Sequence, residues 1–77
     1  SLVLSDNELE GSIPQSIGNL NKLNNLLLHN NNLSGLISDN ICNQGDMIPS
    51  LFGNKLCPPY PECVEYFIGV QNNDECY

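Results

Sequence analysis

Leucine alternates with other residues at two places in the chain, and the two places match. Leu2 and Leu4 flank Val3, and Leu26 and Leu28 flank Leu27. The correspondence continues through Asn7 and Asn31, Leu9 and Leu33, Gly11 and Gly35, Ile13 and Ile37, Ile17 and Ile41, and Leu23 and Met47, always 24 residues apart. The alternation predicts a short strand in each unit, with its leucines on one face and its other residues on the opposite face. Ile17, Leu20 and Leu23 recur every third residue, which predicts a 3₁₀-like or short helical segment behind the strand. One such unit cannot bury its apolar side alone, whereas stacked copies can. A fixed period of this length therefore predicts a solenoid.

The polar positions fit the same frame. Asn7 and Asn31 fall where the chain leaves each strand, and asparagine bonds backbone groups that a turn leaves unpaired. Gly11 permits a turn with positive φ, and Pro14 fixes the step that follows. The first unit runs from Leu2 to about Asn25 and the second from Leu26 to about Met47. Polar Asn43-Gln-Gly-Asp46 replaces the end of the second unit. A worn third unit aligns Leu51 with Leu28, Asn54 with Asn31 and Leu56 with Leu33 at an offset of 23. Asn54 is then a third rung of an asparagine ladder. Pro49 stands where an inward leucine would be, as suits a strand start or sheet edge.

The run Leu-x-Leu-Ser-x-Asn-x-Leu-x-Gly-x-Ile-Pro-x-x-Ile-Gly-x-Leu, from Leu2 to Leu20, resembles the plant-type extracellular leucine-rich repeat. That repeat builds the ectodomains of plant receptor-like kinases and receptor-like proteins, and the polygalacturonase-inhibiting proteins. The resemblance implies a second small sheet outside the main one, carried by the Gly-x-Ile-Pro element. Gly11-Ser-Ile-Pro14 matches that element fully, and Gly35-Leu-Ile-Ser38 departs from it at the last position. Leu56-Cys-Pro-Pro-Tyr-Pro-Glu-Cys63 resembles the C-terminal caps of secreted members. The expected fold is an α/β solenoid: a right-handed leucine-rich repeat with short parallel strands, a 3₁₀ or irregular back wall and a disulfide-bonded C-terminal cap. Residues 1–56 hold two full repeats and one degenerate repeat. Residues 57–77 are the cap, with Val64, Phe67, Ile68 and Val70 covering the last open layer.

Length and charge narrow the function. A chain of 77 residues supports one small core, which usually needs a staple. Cys42, Cys57, Cys63 and Cys76 supply up to two, and disulfides favour a secreted or cell-surface setting. Of the three possible pairings, the short proline-stiffened loop favours Cys57–Cys63, which leaves Cys42–Cys76. The alternative weighed beside it is Cys42–Cys57 with Cys63–Cys76. A zinc site lacks a Cys-x-x-Cys pair and a nearby histidine. The net charge of −7, with Lys22 and Lys55 the only basic residues, opposes binding to nucleic acid. No run reaches the ~20 apolar residues of a membrane helix, so no insertion within this chain is expected. Ser1 falls one step before a strand, as expected of a fragment, a processed form or part of a longer polypeptide.

No catalytic set emerges. His29 with a cysteine could form a nucleophile pair, but bridged cysteines leave no thiol to activate. Glu8 and Glu10 flank one turn without the cleft that acid–base work requires. Asp6, Asp39 and Asp46 lack calcium-loop spacing. No cofactor is implied. Strand alternation instead frees Val3, Ser5, Asn25, Leu27, His29, Ser50 and Phe52 to line the concave face. Val3, Leu27 and Ser50 should form one row, and Ser5, His29 and Phe52 the next. Asn32-Leu-Ser34 is a glycosylation sequon that the repeat consensus itself also generates. The expected function is a non-enzymatic extracellular recognition module for a protein, peptide or glycan. One alternative is a structural segment that self-assembles through the open N-terminal edge before Leu2. Another, implied by the resemblance, is an inhibitor of a secreted cell-wall hydrolase.

Overall fold

The computed structural model describes residues 1–76. Its elements are short and follow the repeat: β1 (Leu2–Val3), β2 (Glu10–Gly11), η1 (Gln15–Asn19), β3 (Leu26–Leu27), β4 (Asn32–Leu36), η2 (Asp39–Asn43), β5 (Lys55–Cys57) and η3 (Glu65–Phe67), where η marks a 3₁₀ segment. Each unit forms one coil of a solenoid-like stack. The inner sheet pairs β1 with β3 in parallel, Leu2 opposite Leu26 and Val3 opposite Leu27. A further parallel bridge joins Leu27 to Ser50 in the third coil. The outer sheet has three parallel strands in the order β2-β4-β5.

The outer sheet is the one the Gly-x-Ile element implied. Its middle strand β4 is the longest, although Gly35-Leu-Ile-Ser38 lacks the proline. Ser38 does different work: its hydroxyl accepts from Asn40 N–H at 3.1 Å and caps η2. The two sheets differ in register. The inner sheet sets Leu2 against Leu26 and Leu27 against Ser50. The outer sheet sets Glu10 against Asn32 and Ser34 against Lys55, in each case two residues short of the repeat spacing. The outer strands are thus sheared relative to the inner ones as one coil succeeds another.

No α-helix occurs among the described residues; the back wall is built from 3₁₀ segments. The three-residue spacing accounts for this, since each segment is too short to propagate an α-helix against its nucleation cost.

The core lies between the sheets and the 3₁₀ wall. Leu26, Leu28, Leu33, Ile37, Ile41, Leu51, Leu56 and Val64 are buried, together with Ile13 and Ile17. Leu2 and Leu4 form the outermost layer and are half-buried against that core. Fully burying one such aliphatic side chain contributes about 1.5–3 kcal/mol.

Several assigned core positions differ. Met47 and Leu20, placed on the back by the repeat, are exposed. The second coil tightens here instead. Gly45 N–H donates to Leu20 O at 3.0 Å, and its Cα lies so close to the Leu23 backbone that no side chain fits. Of the four residues assigned to cover the last layer, Val64 is buried and Ile68 half-buried, but Phe67 and Val70 are exposed. Tyr60 takes part of their place. It packs on the core, and its hydroxyl donates to Leu56 O at 3.0 Å.

The cysteines pair in neither of the two ways weighed from sequence. The bonds are Cys42–Cys63 and Cys57–Cys76, with Cα atoms 5.8 Å and 5.6 Å apart. Cys57 is the last residue of β5, in the outer sheet. The turn containing Cys63 instead lies against the 3₁₀ wall, where Cys42 sits in η2. The Pro58–Pro61 segment therefore spans from one wall to the other rather than folding back on itself. The first bond ties the cap to the back of the second coil, and the second ties the outer sheet to the terminal segment.

Asparagines satisfy the buried backbone at each strand exit. The Asn31 side chain donates to Leu4 O (2.9 Å) and Leu28 O (3.1 Å) and accepts from Leu9 N–H (3.1 Å). Asn54 repeats this one coil later, donating to Leu28 O and Leu51 O (both 3.0 Å) and accepting from Leu33 N–H (3.1 Å). Asn7, on the first coil, bonds only its own turn, at Leu4 O and Ser5 O. Gln71 supplies a further rung. It donates to Leu51 O (2.7 Å) and Ile68 O (2.9 Å) and accepts from Leu56 N–H (3.1 Å). The residue before each asparagine has positive φ: Asp6 (59°), Asn30 (58°) and Gly53 (71°). Asn30 donates to the Asp6 carboxylate at 2.7 Å. At the third coil the Asn30 side chain occupies the space a Cβ on residue 53 would need, so glycine is required for room as well as for φ.

Candidate functional site

The inner sheet fixes the rows of residues expected on the concave face. Leu4 N–H donates to Leu27 O (2.9 Å), Asp6 N–H to His29 O (3.0 Å), Leu28 N–H to Ser50 O (2.9 Å) and Asn30 N–H to Phe52 O (2.9 Å). These bonds set Val3, Leu27 and Ser50 side by side, and Ser5, His29 and Phe52 in the row beyond. Both rows match the arrangement expected from strand alternation.

The second row contains an aromatic pair. The rings of His29 and Phe52 stack with centroids 4.6 Å apart and planes 13° from parallel. The backbone of Gly69 lies against the other side of Phe52, where a Cβ would come within 2.6 Å of the Phe52 Cβ. Phe52 is thus held between the second coil and the cap, yet stays 43% exposed. His29 Nδ1 is shielded from solvent and has no partner among the described residues. The hydrogen-bonding capacity of that ring therefore rests on Nε2. Val3, 59% exposed, and half-buried Leu27 extend the apolar strip beside the pair. Asn25 is exposed at the head of β3, where its carbonyl accepts from Leu2 N–H at 2.8 Å. Ser5 and Ser50 are half-buried.

The polar stretch after η2 supports this sheet. Leu2 N–H meets the Asn25 carbonyl, but the corresponding Leu26 N–H meets the Asp46 carboxylate at 2.8 Å. The other Asp46 oxygen accepts from Ile48 N–H at 2.9 Å. Buried Gln44 bonds the Asp46 backbone through both ends of its amide. Asn43-Gln-Gly-Asp46, which breaks the repeat in sequence, thus replaces a missing backbone partner with a side chain. Asp46 and Gln71 are the two positioning residues that the repeat pattern did not reveal. A polar pair directly after an apolar run, Gln71-Asn72, was the available signal for the second.

All four cysteines are bonded, so no thiol stands ready as a nucleophile. Glu8 and Glu10 are exposed. Among the described residues, no cluster of His, Cys, Asp or Glu could hold a metal ion, and no helix is long and apolar enough to cross a membrane. Asn32 is exposed at the start of β4, and Ser34 of its sequon lies two residues on in the same strand.

Stacked parallel coils, a ladder of asparagine side chains and an exposed apolar strip beside the inner sheet define a repeat protein. The Leucine Rich Repeat family model matches residues 1–20 and 22–44, more than half of the chain, and the chain belongs to that family. Such repeats are generally protein-interaction modules. No curated protein and no solved structure matches the chain. The two disulfides are consistent with an extracellular location.

Proposed function

We propose that the chain is the C-terminal part of an extracellular, right-handed leucine-rich repeat solenoid, with residues 57–77 as its cap. Its role is non-enzymatic recognition of a protein or peptide through the concave face. The observation that carries this reading is the stack of half-buried His29 on exposed Phe52, beside Val3 and Leu27. These side chains are free of core duty, and buried aromatic anchors dominate binding energy where partners meet. Ser5, Asn25 and Ser50 supply polar groups around them, a composition that also suits a glycan.

The test is selection of displayed peptides, and screening of a glycan array, on the folded, fully oxidised chain. Selected binders should lose about tenfold or more in affinity to Phe52→Ala, on the order of 1.4 kcal/mol or above. His29→Ala should weaken them further, with both disulfides intact. Binders indifferent to both substitutions would place recognition elsewhere.

Exposed Asn32 is the proposed glycan acceptor. Secretion from a eukaryotic cell should give a peptide containing Asn32 whose mass falls on treatment with a peptide N-glycosidase. An unmodified peptide from that source removes the assignment.

A further inference from the structure

A second apolar surface lies away from the concave face, beside the Cys42–Cys63 bond. Met47, Ile48 and Phe67 wall a groove of about 470 Å³, and Val64 and Ile41 form its floor. Met47 is 84% exposed and Ile48 62% exposed. Met47 was assigned to the back wall by the repeat pattern and Phe67 to the last layer by the cap, and the fold leaves both outside. The volume falls within the roughly 300–1,000 Å³ of ordinary binding clefts.

The opposite flank of the same disulfide differs. There Asp39 and Glu62 line a shallow hollow together with Cys42 and Cys63. The same two acids meet again beside Tyr60 on the adjoining surface. The chain's only cations are Lys22 and Lys55. Lys55 belongs to the outer sheet, and neither lysine lines the groove or the hollow.

We propose that this composite surface docks a cationic, amphipathic peptide segment of a partner protein. The apolar side chains of the segment enter the Met47–Ile48–Phe67 groove. Its lysine or arginine side chains cross the disulfide to Asp39 and Glu62. Charge selects this occupant. A second copy of the chain would bring another −7 and the same acids to the contact, so self-association is opposed. An anionic membrane is opposed for the same reason.

The probe is a synthetic amphipathic peptide of leucine and lysine. Two comparison peptides replace its leucines by serine or its lysines by glutamate. Binding to the oxidised chain is followed by calorimetry at low and high salt. The leucine–lysine peptide alone should bind. Met47→Ser with Ile48→Ser should weaken it about tenfold, as expected when two aliphatic contacts are lost. Asp39→Asn with Glu62→Gln should weaken it severalfold and flatten its salt dependence. Glu8→Gln, outside this surface, should leave it unchanged. The substituted groove residues are exposed, so the variants should fold, and unreduced mass mapping checks that both disulfides remain. The proposal is overturned by absent binding, by equal binding of the serine peptide, by equal loss through Glu8→Gln outside the surface, or by a dimer that buries the groove.

Discussion

At the scale of single residues, the ladder asparagines carry the most weight per side chain. Removing the Asn54 amide strands Leu33 N–H in a buried site and takes one donor each from Leu28 O and Leu51 O, which keep their bonds from Asn31 and Gln71. Each stranded buried group costs about 1–3 kcal/mol. Asn54→Ala should therefore lower the melting temperature by about 8 °C or more, since a loss of about 2 kcal/mol or above is expected and 1 kcal/mol shifts a domain of this size by about 4–8 °C. Asn7→Ala removes bonds from an exposed turn and should shift it by only a few degrees, about 1 kcal/mol or less. Thermal melts followed by circular dichroism under non-reducing conditions compare the two. Equal shifts would mean that the rungs do not act through burial. Asn31 and Asn54 were legible because the leucine frame around each is intact. Gln71 was not, because no leucines frame it and its longer side chain reaches the same carbonyl row from a differently placed backbone. Gly53 was equally silent, since its need for glycine comes from Asn30 on the coil before it.

At the scale of elements, the strands, the 3₁₀ wall and the outer sheet followed from periodicity and from the resemblance to plant-type repeats. The disulfide pairing did not. Sequence proximity favoured closing the loop from Cys57 to Cys63. The outer sheet instead fixes Cys57 at the end of β5, and the cap turn delivers Cys63 to η2. Strand pairing over many bonds overrules the small entropic advantage of a short loop. Digestion without reduction should yield peptides linking Cys42 to Cys63 and Cys57 to Cys76. Replacing either pair by serine should leave the other bond formed and cost about 3 kcal/mol, as expected for loops of 21 and 19 residues. A Cys57–Cys63 peptide from native material would contradict this arrangement of the cap. The outward turn of Phe67 and Val70 has the same origin. Once Tyr60, Val64 and Ile68 fill the last layer, no core remains for them to cover.

At the scale of the whole molecule, the body measures 34 × 25 × 20 Å and presents two unlike surfaces. The concave rows came directly from alternation, because a strand has only two faces and the leucines claim one. The His29–Phe52 stack needed the register between coils, which an offset of 23 between the second and third units already held. The groove beside Cys42–Cys63 could not be read in advance, because it exists only where the second unit departs from the repeat and the cap meets it. The acidity of the chain bears on both surfaces, favouring partners that are neutral or cationic where they touch.

The claim on which the rest depends is that the concave row is the recognition face. It is tested most directly by titrating isotopically labelled, oxidised protein with a selected peptide and following backbone and aromatic chemical shifts. The account predicts the largest changes at Val3, Leu27, His29 and Phe52, with the 3₁₀ wall at Gln15–Asn19 and Asp39–Asn43 unmoved. Changes confined to that wall, with His29 and Phe52 silent at saturation, would contradict it.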